Sequence, residues 1–517
     1  MASLSIAQAI SASIGVCLLY RFGVIVYRLY FHPLSKYPGP KHLAISGLPQ
    51  MYYQNVTGTF YKDIRALHDQ HGNIVRVAPN ELSIDGSIGW TEAYGHKKAG
   101  ELEFKKDRLF YRPLESGQGV NGSGVHDIFT ASREDHRRQR RLIAHAFSDA
   151  ALTEQEELIQ TYVDLLMTRF RENAALGKVL DMVKFFNFLT FDLIGDLAFG
   201  DPFDCLQTST MNAWISMIYI FVKASSQLRI FAEYPLLKPL LRLIITKSAQ
   251  DQVKKSMDYT GEKLERRLAL GKNLPRKDFL SYILRHNDEK GMSHPEIMGN
   301  SESFIVAGSE TTATLLSGLT YFLGHNPAAW QRLTTEIRES FSSEKDITMR
   351  AASALPYLHA CIEEGLRMYP PAALTPPRIS PGANIDGNYI PEGTKIWIHQ
   401  WSTYHRNSNF AMADNFIPER WLPQSHAYYE PQFANDNQAC MQPFSYGPRN
   451  CIGKNLAYAE IRLAMAKMAW NFEIEIMPEC TSWMEGQKVF TVFQKPPLFV
   501  KLHLRAGREE KEQVEQN

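Results

Sequence analysis

The N-terminal end of the chain is apolar and almost free of charge. No charged residue occurs from Ala2 to Tyr20, Arg21 interrupts the run, and apolar residues resume from Phe22 to Tyr27. A helix of this length can cross a hydrocarbon core of about 30 Å. The pattern predicts a membrane anchor over residues 1–31. A cleavable signal peptide is the alternative, but the run has no basic segment before it and no small-residue cleavage site at its end.

The anchor is followed by a short segment that is basic and rich in proline. Asp63 is the first acidic residue of the chain. Positively charged flanks tend to stay on the cytosolic side of a membrane, so we expect the rest of the chain to face the cytosol. Prolines cannot continue a helix, and the segment 32–41 is therefore expected to act as a stiff hinge. The basic residues before Asp63 include Arg21, Arg28, Lys36 and Lys41.

The longest helical pattern lies in the second half of the chain. Ser293 and Glu296 have the spacing of a capping box, and Asn326-Pro327 is expected to end the helix. Gly308 lies inside this helix at a cost of about 1 kcal/mol relative to alanine, so we expect it to leave space for a ligand beside an opened turn. The apolar positions at helical spacing are Ile297, Phe304, Ile305, Leu315, Leu316, Leu319 and Phe322.

Length and composition favour one large domain over several small ones. A chain of 517 residues would suggest three or four domains at roughly 150 residues each, but no linker or repeat divides it. We therefore predict one domain over residues 42–504, followed by a charged, disordered tail over 505–517. The net charge of +1 and the lack of a basic stripe argue against a nucleic-acid partner. The six cysteines form no CxxC pair, which indicates reduced thiols.

One decapeptide carries the strongest chemical signal, Phe444-Ser-Tyr-Gly447-Pro-Arg449-Asn-Cys451-Ile-Gly453. Glycine at 447 allows a sharp turn before the cysteine, and Arg449 can bind a carboxylate with two parallel hydrogen bonds. Helical spacing resumes after Ile452, so Cys451 is expected at a helix N-terminus, where a thiolate is stabilised. A buried structural cysteine is the alternative for any lone cysteine.

This decapeptide resembles the haem-binding signature of the cytochrome P450 superfamily, with Phe, Gly, Arg, Cys and Gly at the same relative positions. The resemblance implies haem b with Cys451 as the thiolate ligand of the iron and with Phe444, Arg449 and Gly453 beside the cofactor. It also implies the fold of that family, which is mainly α with smaller β-sheets around a long central helix. In this chain an N-terminal transmembrane helix is expected to precede that domain.

Further motifs match the same family. Glu364 and Arg367 lie three residues apart and, with Arg420, resemble its Glu-Arg-Arg network, for which a structural role is expected. His136, Arg140 and Arg378 resemble its propionate-binding residues. An ordinary surface pair and a solvated basic helix face are the respective alternatives. Glu310-Thr311 resembles the acid-alcohol pair that supplies protons to dioxygen, whereas ordinary helix packing is the alternative.

The resemblance implies a monooxygenase that inserts one oxygen atom from O2 into a lipophilic small molecule. Electrons would come from a membrane NADPH-cytochrome reductase or a cytochrome b-type donor, and the protein would be anchored in the endoplasmic reticulum membrane. The overall match is most similar to fungal microsomal members of secondary metabolism such as trichothecene hydroxylases, which implies a terpenoid or polyketide-like substrate. A reductase-independent isomerase or dehydratase and a non-catalytic membrane haem protein are the alternatives.

The substrate region has no motif of its own and is assigned by position alone. The apolar stretch Trp214–Phe221 and the leucines after it are expected to form a lid, and glycines 117, 119, 122 and 124 suggest a mobile loop. Ordinary core packing is the alternative for each of the expected cavity residues. These are Phe304, Ala307, Ala373, Leu374, Val492 and Phe493.

Overall fold

The computed structural model describes residues 6–98, 100–111, 126–211, 213–241, 247–271, 277–287 and 291–505. The first helix, Ile6–Val26, continues into a π-helical segment, Tyr27–Phe31. This span is long and apolar enough to cross a membrane: an 18-residue window within it has a mean hydropathy of 1.9, and none of that window is buried. The helix therefore fits the predicted membrane anchor. Residues 1–5 of that prediction lie outside the described part.

The end of the anchor is tied to the first sheet by arginines. Arg28 Nη1 donates to Ile45 O at 2.5 Å, and Arg76 Nη1 donates to Arg28 O at 2.7 Å. Gly39, in the proline-rich segment, lies so close to Arg76 that a Cβ would be 2.3 Å from its carbonyl oxygen. The hinge segment therefore packs directly against β-strand backbone.

The fold is mainly helical, as the sequence predicted. In the first half the α-helices are Lys41–Ile45, Leu48–Met51, Phe60–His71, Gly86–Gly89, Arg108–Tyr111, Arg133–Ile143, Asp149–Ala175, Met182–Phe199, Cys205–Thr208 and Ala213–Glu233. In the second half they are Lys247–Ala269, Phe279–His286, His294–His325, Pro327–Ser340, Met349–Ser353, Pro356–Met368, Gln400–Tyr404 and Lys454–Asn471. We call His294–His325 the central helix and Lys454–Asn471 the cysteine-loop helix.

The strands are short and form small sheets. The strands are β1 Ile74–Ala78, β2 Glu81–Ile84, β3 Lys105–Lys106, β4 Val179–Asp181, β5 Arg378–Ile379, β6 Ala383–Ile385, β7 Asn388–Ile390, β8 Lys395–Trp397, β9 Phe472–Ile476, β10 Lys488–Phe490, β11 Val492–Gln494 and β12 Phe499–Leu504. A five-stranded sheet has the order β1-β2-β8-β5-β3, with β2 and β8 parallel and the other pairs antiparallel. A three-stranded sheet has the order β4-β12-β9, and β6-β7 and β10-β11 are hairpins.

The central helix has the ends that the sequence predicted. Ser293 and Glu296 form the capping box, and Asn326 is the C-cap before Pro327. One apolar core surrounds this helix and includes buried residues from Leu43 to Leu502, while a smaller core lies at the five-stranded sheet. The central helix therefore lies in the middle of the protein, where residues distant in sequence converge.

The expectation for Gly308 is wrong in two respects. The central helix is continuous from His294 to His325 and has no opened turn. A Cβ at Gly308 would lie 2.8 Å from Ile194 Cδ1 on the neighbouring helix Met182–Phe199. Glycine is needed here because two helices approach closely, and this packing offsets its low helix propensity.

The cysteines are all free thiols, as predicted. Each of the six lies in the described part of the chain, and none forms a disulfide. Four are buried, whereas Cys17 in the anchor and Cys451 are exposed. Cys451 is therefore the only cysteine of the catalytic part, within the described residues, whose sulfur is open to a ligand.

Candidate active site

The loop before Cys451 is held in a sharp turn by its glycine. Gly447 has a φ of +74°, and a Cβ at this position would lie 2.1 Å from Tyr94 O. No other residue fits this turn without strain. The Cys451 amide donates to Phe444 O at 2.8 Å, and the cysteine-loop helix begins at Lys454. Cys451 therefore lies just before a helix N-terminus, as the sequence predicted.

Cys451 is exposed, although protein groups surround its thiol. The surrounding protein desolvates the thiol, and this raises its pKa. The Gly453 backbone and the cations of Arg140 and Lys454 lower the pKa and partly offset the desolvation. Phe444 lies beside the loop, with its ring centre 5.2 Å from that of Tyr458. A metal ion would supply the positive charge that completes the stabilisation of a thiolate here.

Five basic residues converge near the cysteine loop. His136 is buried among the other four, and burial, followed by the charges of Arg449, Lys106, Arg140 and Arg378, lowers its pKa to about 3. Its imidazole is therefore neutral at pH 7 and offers one ring N–H donor. We call this set the basic cluster: Lys106, His136, Arg140, Arg378 and Arg449.

Arg378 is a member of the basic cluster with two guanidinium nitrogens that lack an acceptor among the described residues. It is buried, and its Nε and Nη1 have no hydrogen-bond acceptor among the described residues. Its guanidinium carbon lies 4.7 Å above the ring of Tyr94. A buried guanidinium is costly unless an anion pairs with it. Arg378 therefore indicates a site for an anionic group.

Two other members of the cluster bind protein groups. Arg140 donates from Nη1 to Asn450 O at 2.7 Å and from Nη2 to Asn450 Oδ1 at 2.5 Å. Arg449 donates from Nε to Glu103 Oε1 at 3.2 Å and from Nη1 to Ala131 O at 3.1 Å. These bonds fix Arg449 and Asn450, the two residues directly before Cys451. Arg140 and Arg449 therefore hold the loop as well as adding positive charge.

Lys106 was missed by the sequence analysis. It lies on β3 next to Arg378 on β5, and its Nζ donates to Phe129 O at 2.8 Å. Burial and the charges of Arg378 and Arg449 lower the pKa of Lys106 well below its ordinary value. Only the pairing of two short strands brings this lysine into the cluster. The sequence around it contains no motif that would have indicated this.

The acid and the alcohol of the central helix have different partners. Glu310 is buried and forms an ion pair with Lys495, a residue that the sequence analysis also missed. The Thr311 hydroxyl donates to Ala307 O at 2.7 Å, one turn earlier on the same helix. Val306, next to Ala307, is 37% exposed although it lies in the middle of the protein. The open side of the central helix is therefore at Val306 and Ala307.

Glu364, Arg367 and Arg420 form a fully buried charge network. Arg367 donates from Nε and Nη2 to the two oxygens of Glu364 at 2.8 and 2.7 Å, and Arg420 Nε donates to Glu364 Oε1 at 3.2 Å. Arg367 Nη1 also donates to Tyr404 O at 2.9 Å, and Arg420 pairs with Asp436. The network thereby connects the helix Pro356–Met368 to the segment before the cysteine loop.

The expected cavity residues fall into two groups in the structure. Phe304 packs against Phe147 and Phe279, with ring centres 5.7 and 6.0 Å apart. Phe493 stacks on Tyr369 at 4.2 Å between ring centres. Both phenylalanines therefore belong to aromatic clusters of the core. Ala307 and Val492 are half-buried, whereas Ala373 and Leu374 are buried.

The predicted loop and most side chains of the predicted lid lie outside the described residues. Glycines 117, 119, 122 and 124 lie outside the described residues, as do the side chains of Trp214 to Tyr219 and of Phe221. The backbone of the predicted lid is helical, within Ala213–Glu233. The leucines after it follow on a 3₁₀ helix, Pro235–Leu240, in which Leu236 is 90% exposed.

The described residues fit an iron porphyrin. Cys451 is an exposed free thiol, and two nitrogens of Arg378 lack an acceptor among the described residues. The basic cluster has the charge to bind two carboxylates. Without such anions, burial and the neighbouring cations lower the pKa values of Lys106 and His136. The central helix adds an exposed apolar side chain at Val306. Thiolate, carboxylate-binding cations and an apolar wall are the groups that haem ligation requires.

Comparison with known proteins identifies the family. A sequence model of the family described as Cytochrome P450 matches residues 38–502. Cytochrome P450 monooxygenase astJ of Aspergillus oryzae is 42% identical over 484 residues, covering 93% of this chain and 94% of the relative. Cytochrome P450 monooxygenase efuB of Hormonema carpetanum is 42% identical over 501 residues, or 96% of each. Averantin hydroxylase of Dothistroma septosporum is 39% identical over 497 residues, covering 95% and 90%. The chain therefore belongs to the cytochrome P450 family of haem-thiolate monooxygenases.

Proposed function

We propose that this protein is a membrane-anchored monooxygenase of secondary metabolism that carries haem b and oxidises a lipophilic terpenoid or polyketide-like molecule. Two observations carry the proposal: the exposed Cys451 in a loop that depends on Gly447, and the buried guanidinium of Arg378, whose Nε and Nη1 have no acceptor among the described residues. A thiol and a cation arranged in this way suit a porphyrin iron and its propionate. The name of one relative, averantin hydroxylase, supports hydroxylation as the reaction class, and the name of another, cytochrome P450 monooxygenase astJ, supports monooxygenation.

The residues of the site have separate roles in this proposal. Cys451 would hold the haem iron, and a thiolate ligand would supply the electron density that favours cleavage of the O–O bond. Cys451 is the ligand, and His136, Arg140, Arg378 and Arg449 bind the propionates, with Lys106 as an additional cation. Phe444 and Gly453 pack beside the cofactor. The network of Glu364, Arg367 and Arg420 holds the segment before the cysteine loop in place.

Glu310 and Thr311 supply protons in the proposed reaction. One oxygen atom of O2 enters the substrate and the other leaves as water, which takes two electrons and two protons. The Thr311 hydroxyl lies next to the exposed face of the central helix and can donate a hydrogen bond to bound O2. Glu310 is the neighbouring acid, and its ion pair with Lys495 must break before it can transfer a proton to Thr311.

The electrons come from a separate protein in this proposal. Members of the family use redox partner reductases, and we propose an NADPH-cytochrome reductase of the endoplasmic reticulum membrane, with a cytochrome b-type protein as a second donor. The anchor places both proteins on one membrane, so they meet by diffusion in two dimensions. The cytosolic orientation follows from the basic residues after the anchor.

Exposed apolar residues support a membrane-resting orientation of the catalytic domain. Leu236 and Leu240 are exposed on the 3₁₀ helix after Ala213–Glu233, and Leu48 and Tyr52 are exposed near the hinge. A Cβ added at Gly47 would lie 2.9 Å from Tyr234 Oη. The segment at Gly47 therefore packs closely against the segment at Tyr234. A contiguous apolar surface next to an anchor is expected to contact lipid. A lipophilic substrate then enters from the bilayer.

The decisive experiment uses the full chain with its reductase in vesicles. Extract from the producing organism, NADPH and isotopically labelled dioxygen are added, and products are identified by mass spectrometry. We expect one labelled oxygen atom in a lipophilic product and a carbon monoxide spectrum typical of thiolate ligation. A product formed without NADPH would indicate an isomerase or dehydratase instead. A haem protein with a normal spectrum that forms no product from any extract fraction would contradict catalysis.

A further inference from the structure

Glu310 is held by a lysine from a distant part of the chain. Lys495 follows β11 directly and forms an ion pair with Glu310 Oε1, while its Nζ also donates to Thr314 Oγ1 at 2.6 Å. The Thr314 hydroxyl donates to Glu310 Oε1 at 3.3 Å. The side chains of Lys495 and Glu310 are only 2% and 5% exposed. The ion pair is therefore closed to bulk solvent.

This ion pair determines where the Glu310 carboxyl points. Thr314 lies one helical turn after Glu310, so both donors draw the carboxyl along the helix in that direction. Thr311 instead donates to Ala307 O, in the preceding turn. With Oε1 occupied by two donors, Glu310 cannot exchange a proton with Thr311 through that oxygen. The second oxygen, Oε2, has no partner among the described residues.

The segment that carries Lys495 is connected to the helix Ala213–Glu233. Arg229 on that helix donates from Nη2 to Thr491 Oγ1 at 2.7 Å, in the turn of the β10–β11 hairpin. Lys223 Nζ lies 5.2 Å from the ring centre of Phe490 on β10. Val492 on β11 is expected to face the substrate cavity. A ligand that displaces this hairpin would therefore also move Lys495 away from the central helix.

We propose that Lys495 is a positioning residue that withholds Glu310 from proton transfer until substrate displaces the β10–β11 hairpin. The inference rests on the proposed function, because only an oxygen-activating enzyme needs protons at Thr311. While Lys495 is in place, the Glu310 carboxyl stays at Thr314. After the hairpin moves, Glu310 turns toward Thr311, takes a proton from water and passes it on. Proton supply therefore depends on whether the pocket is filled.

The stoichiometry of dioxygen reduction without substrate tests this proposal. Reduction to peroxide takes two electrons and two protons, or about one NADPH per O2, whereas reduction to water takes about two NADPH per O2. The wild-type holoprotein with its reductase should stay near the peroxide value. Lys495→Met keeps the side-chain length but removes the charge. It should raise the ratio toward about two, because the released Glu310 supplies protons continuously.

Two further variants separate positioning from a packing defect. Lys495→Arg keeps a cation in contact with Glu310 and should behave as the wild type. Glu310→Gln combined with Lys495→Met should return the ratio to about one, because the released acid is then missing. An unchanged ratio in Lys495→Met would overturn the proposal. So would a raised ratio that persists in the double variant.

Thr314→Val provides a test that does not change the charge of the core. It removes one donor to Glu310 and one acceptor for Lys495, so we expect a smaller rise in the same ratio, and no rise would count against the proposal. Thr320→Val is the matched control, because Thr320 is buried on the same helix and its hydroxyl donates to Leu316 O at 2.9 Å, away from Glu310 and Lys495. Carbon monoxide spectra distinguish a failure of the proposed function from a failure of the role of Lys495. A wild-type spectrum without thiolate ligation refutes the proposed function, whereas a normal spectrum with unchanged ratios refutes only the role of Lys495.

Discussion

Trp421 donates its indole N–H to Glu364 Oε2 at 2.8 Å and is thereby a fourth member of the buried charge network. The sequence motifs predict only the other three members, Glu364, Arg367 and Arg420. Glu364 also accepts from the Ile417 amide at 2.8 Å, so its two oxygens receive five hydrogen bonds from Arg367, Arg420, Ile417 and Trp421 together. These bonds, with burial opposing them, lower the pKa of Glu364, and the carboxyl stays ionised.

Replacing Trp421 with phenylalanine should destabilise the protein modestly. The change keeps an aromatic ring but removes one donor to a charged acceptor, which contributes about 1.5 kcal/mol or more. Arg367→Leu should cost far more, about 3–5 kcal/mol, because it leaves Glu364 as an uncompensated buried charge. Guanidinium unfolding of the detergent-solubilised holoprotein, followed by the haem spectrum, measures both.

Trp401→Phe is the matched control for Trp421→Phe. The Trp401 indole nitrogen is buried and has no hydrogen-bond acceptor among the described residues. The same loss of volume therefore occurs without loss of a hydrogen bond. If Trp401→Phe and Trp421→Phe were equally destabilising, the bond to Glu364 would contribute nothing measurable.

Arg378→Leu should weaken haem retention without weakening the protein scaffold. The Nε and Nη1 of Arg378 make no bond to the described protein, so their contribution depends on an anion from the cofactor. A hydrogen bond to a charged group contributes roughly 1.5–3 kcal/mol, and transfer of haem to a scavenger protein should therefore become about tenfold to a hundredfold faster. Arg378→Lys should recover part of this loss. Unchanged transfer in Arg378→Leu would show that Arg378 does not bind the cofactor.

Thr311→Ala should uncouple reductant use from product formation. The hydroxyl is the proposed donor beside the exposed face of the central helix, and positioned proton transfer contributes roughly 10²–10⁴ to a rate. We expect normal haem content, more peroxide and at least about tenfold less product per NADPH. Thr311→Ser keeps the hydroxyl and should retain most of the coupling. Equal coupling in Thr311→Ala and the wild type would exclude the assigned role.

The sequence predicted those parts of the site that lie within one continuous segment. The cysteine loop, the capping box at Ser293 and the helix that follows Cys451 depend on residues a few positions apart, and local chemistry determines them. The spacing of Glu364 and Arg367 on one helix likewise determines their contact. These elements could be derived because the interacting groups share one secondary-structure element.

The parts that the sequence did not predict depend on contacts across the fold. Lys495 reaches Glu310 from 185 positions away, and Lys106 enters the basic cluster only because β3 pairs with β5. The prediction that Gly308 leaves space for a ligand is wrong because Ile194, on another helix, fills this space. No sequence pattern indicates the contact between these two residues. Helical periodicity gives the face of a residue but not the element that covers this face. Tertiary contacts of this kind have to be observed.

Glu460→Gln should make the stability of the protein less dependent on pH. Glu460 lies on the cysteine-loop helix, buried, with a hydrogen bond to Thr312 of the central helix and with Oε2 lacking a partner among the described residues. Burial raises the pKa of Glu460 to about 8. The folded protein therefore holds a proton that the unfolded chain, with a pKa near 4.3, releases. Stability should fall as pH rises between about 4.3 and about 8, since the folded state binds more protons in this range.

The expected size of this effect is about 2–3 kcal/mol between pH 6 and pH 8, at 1.36 kcal/mol for each unit of pH. Glutamine cannot ionise, so guanidinium unfolding should show Glu460→Gln gaining stability over the wild type by about this amount as pH rises through the same range. Glu479→Gln, at an exposed carboxyl, is the control and should follow the wild type. Parallel pH profiles for Glu460→Gln and the wild type would mean that the buried carboxyl ionises at its ordinary pH, with a water molecule or a cation satisfying Oε2.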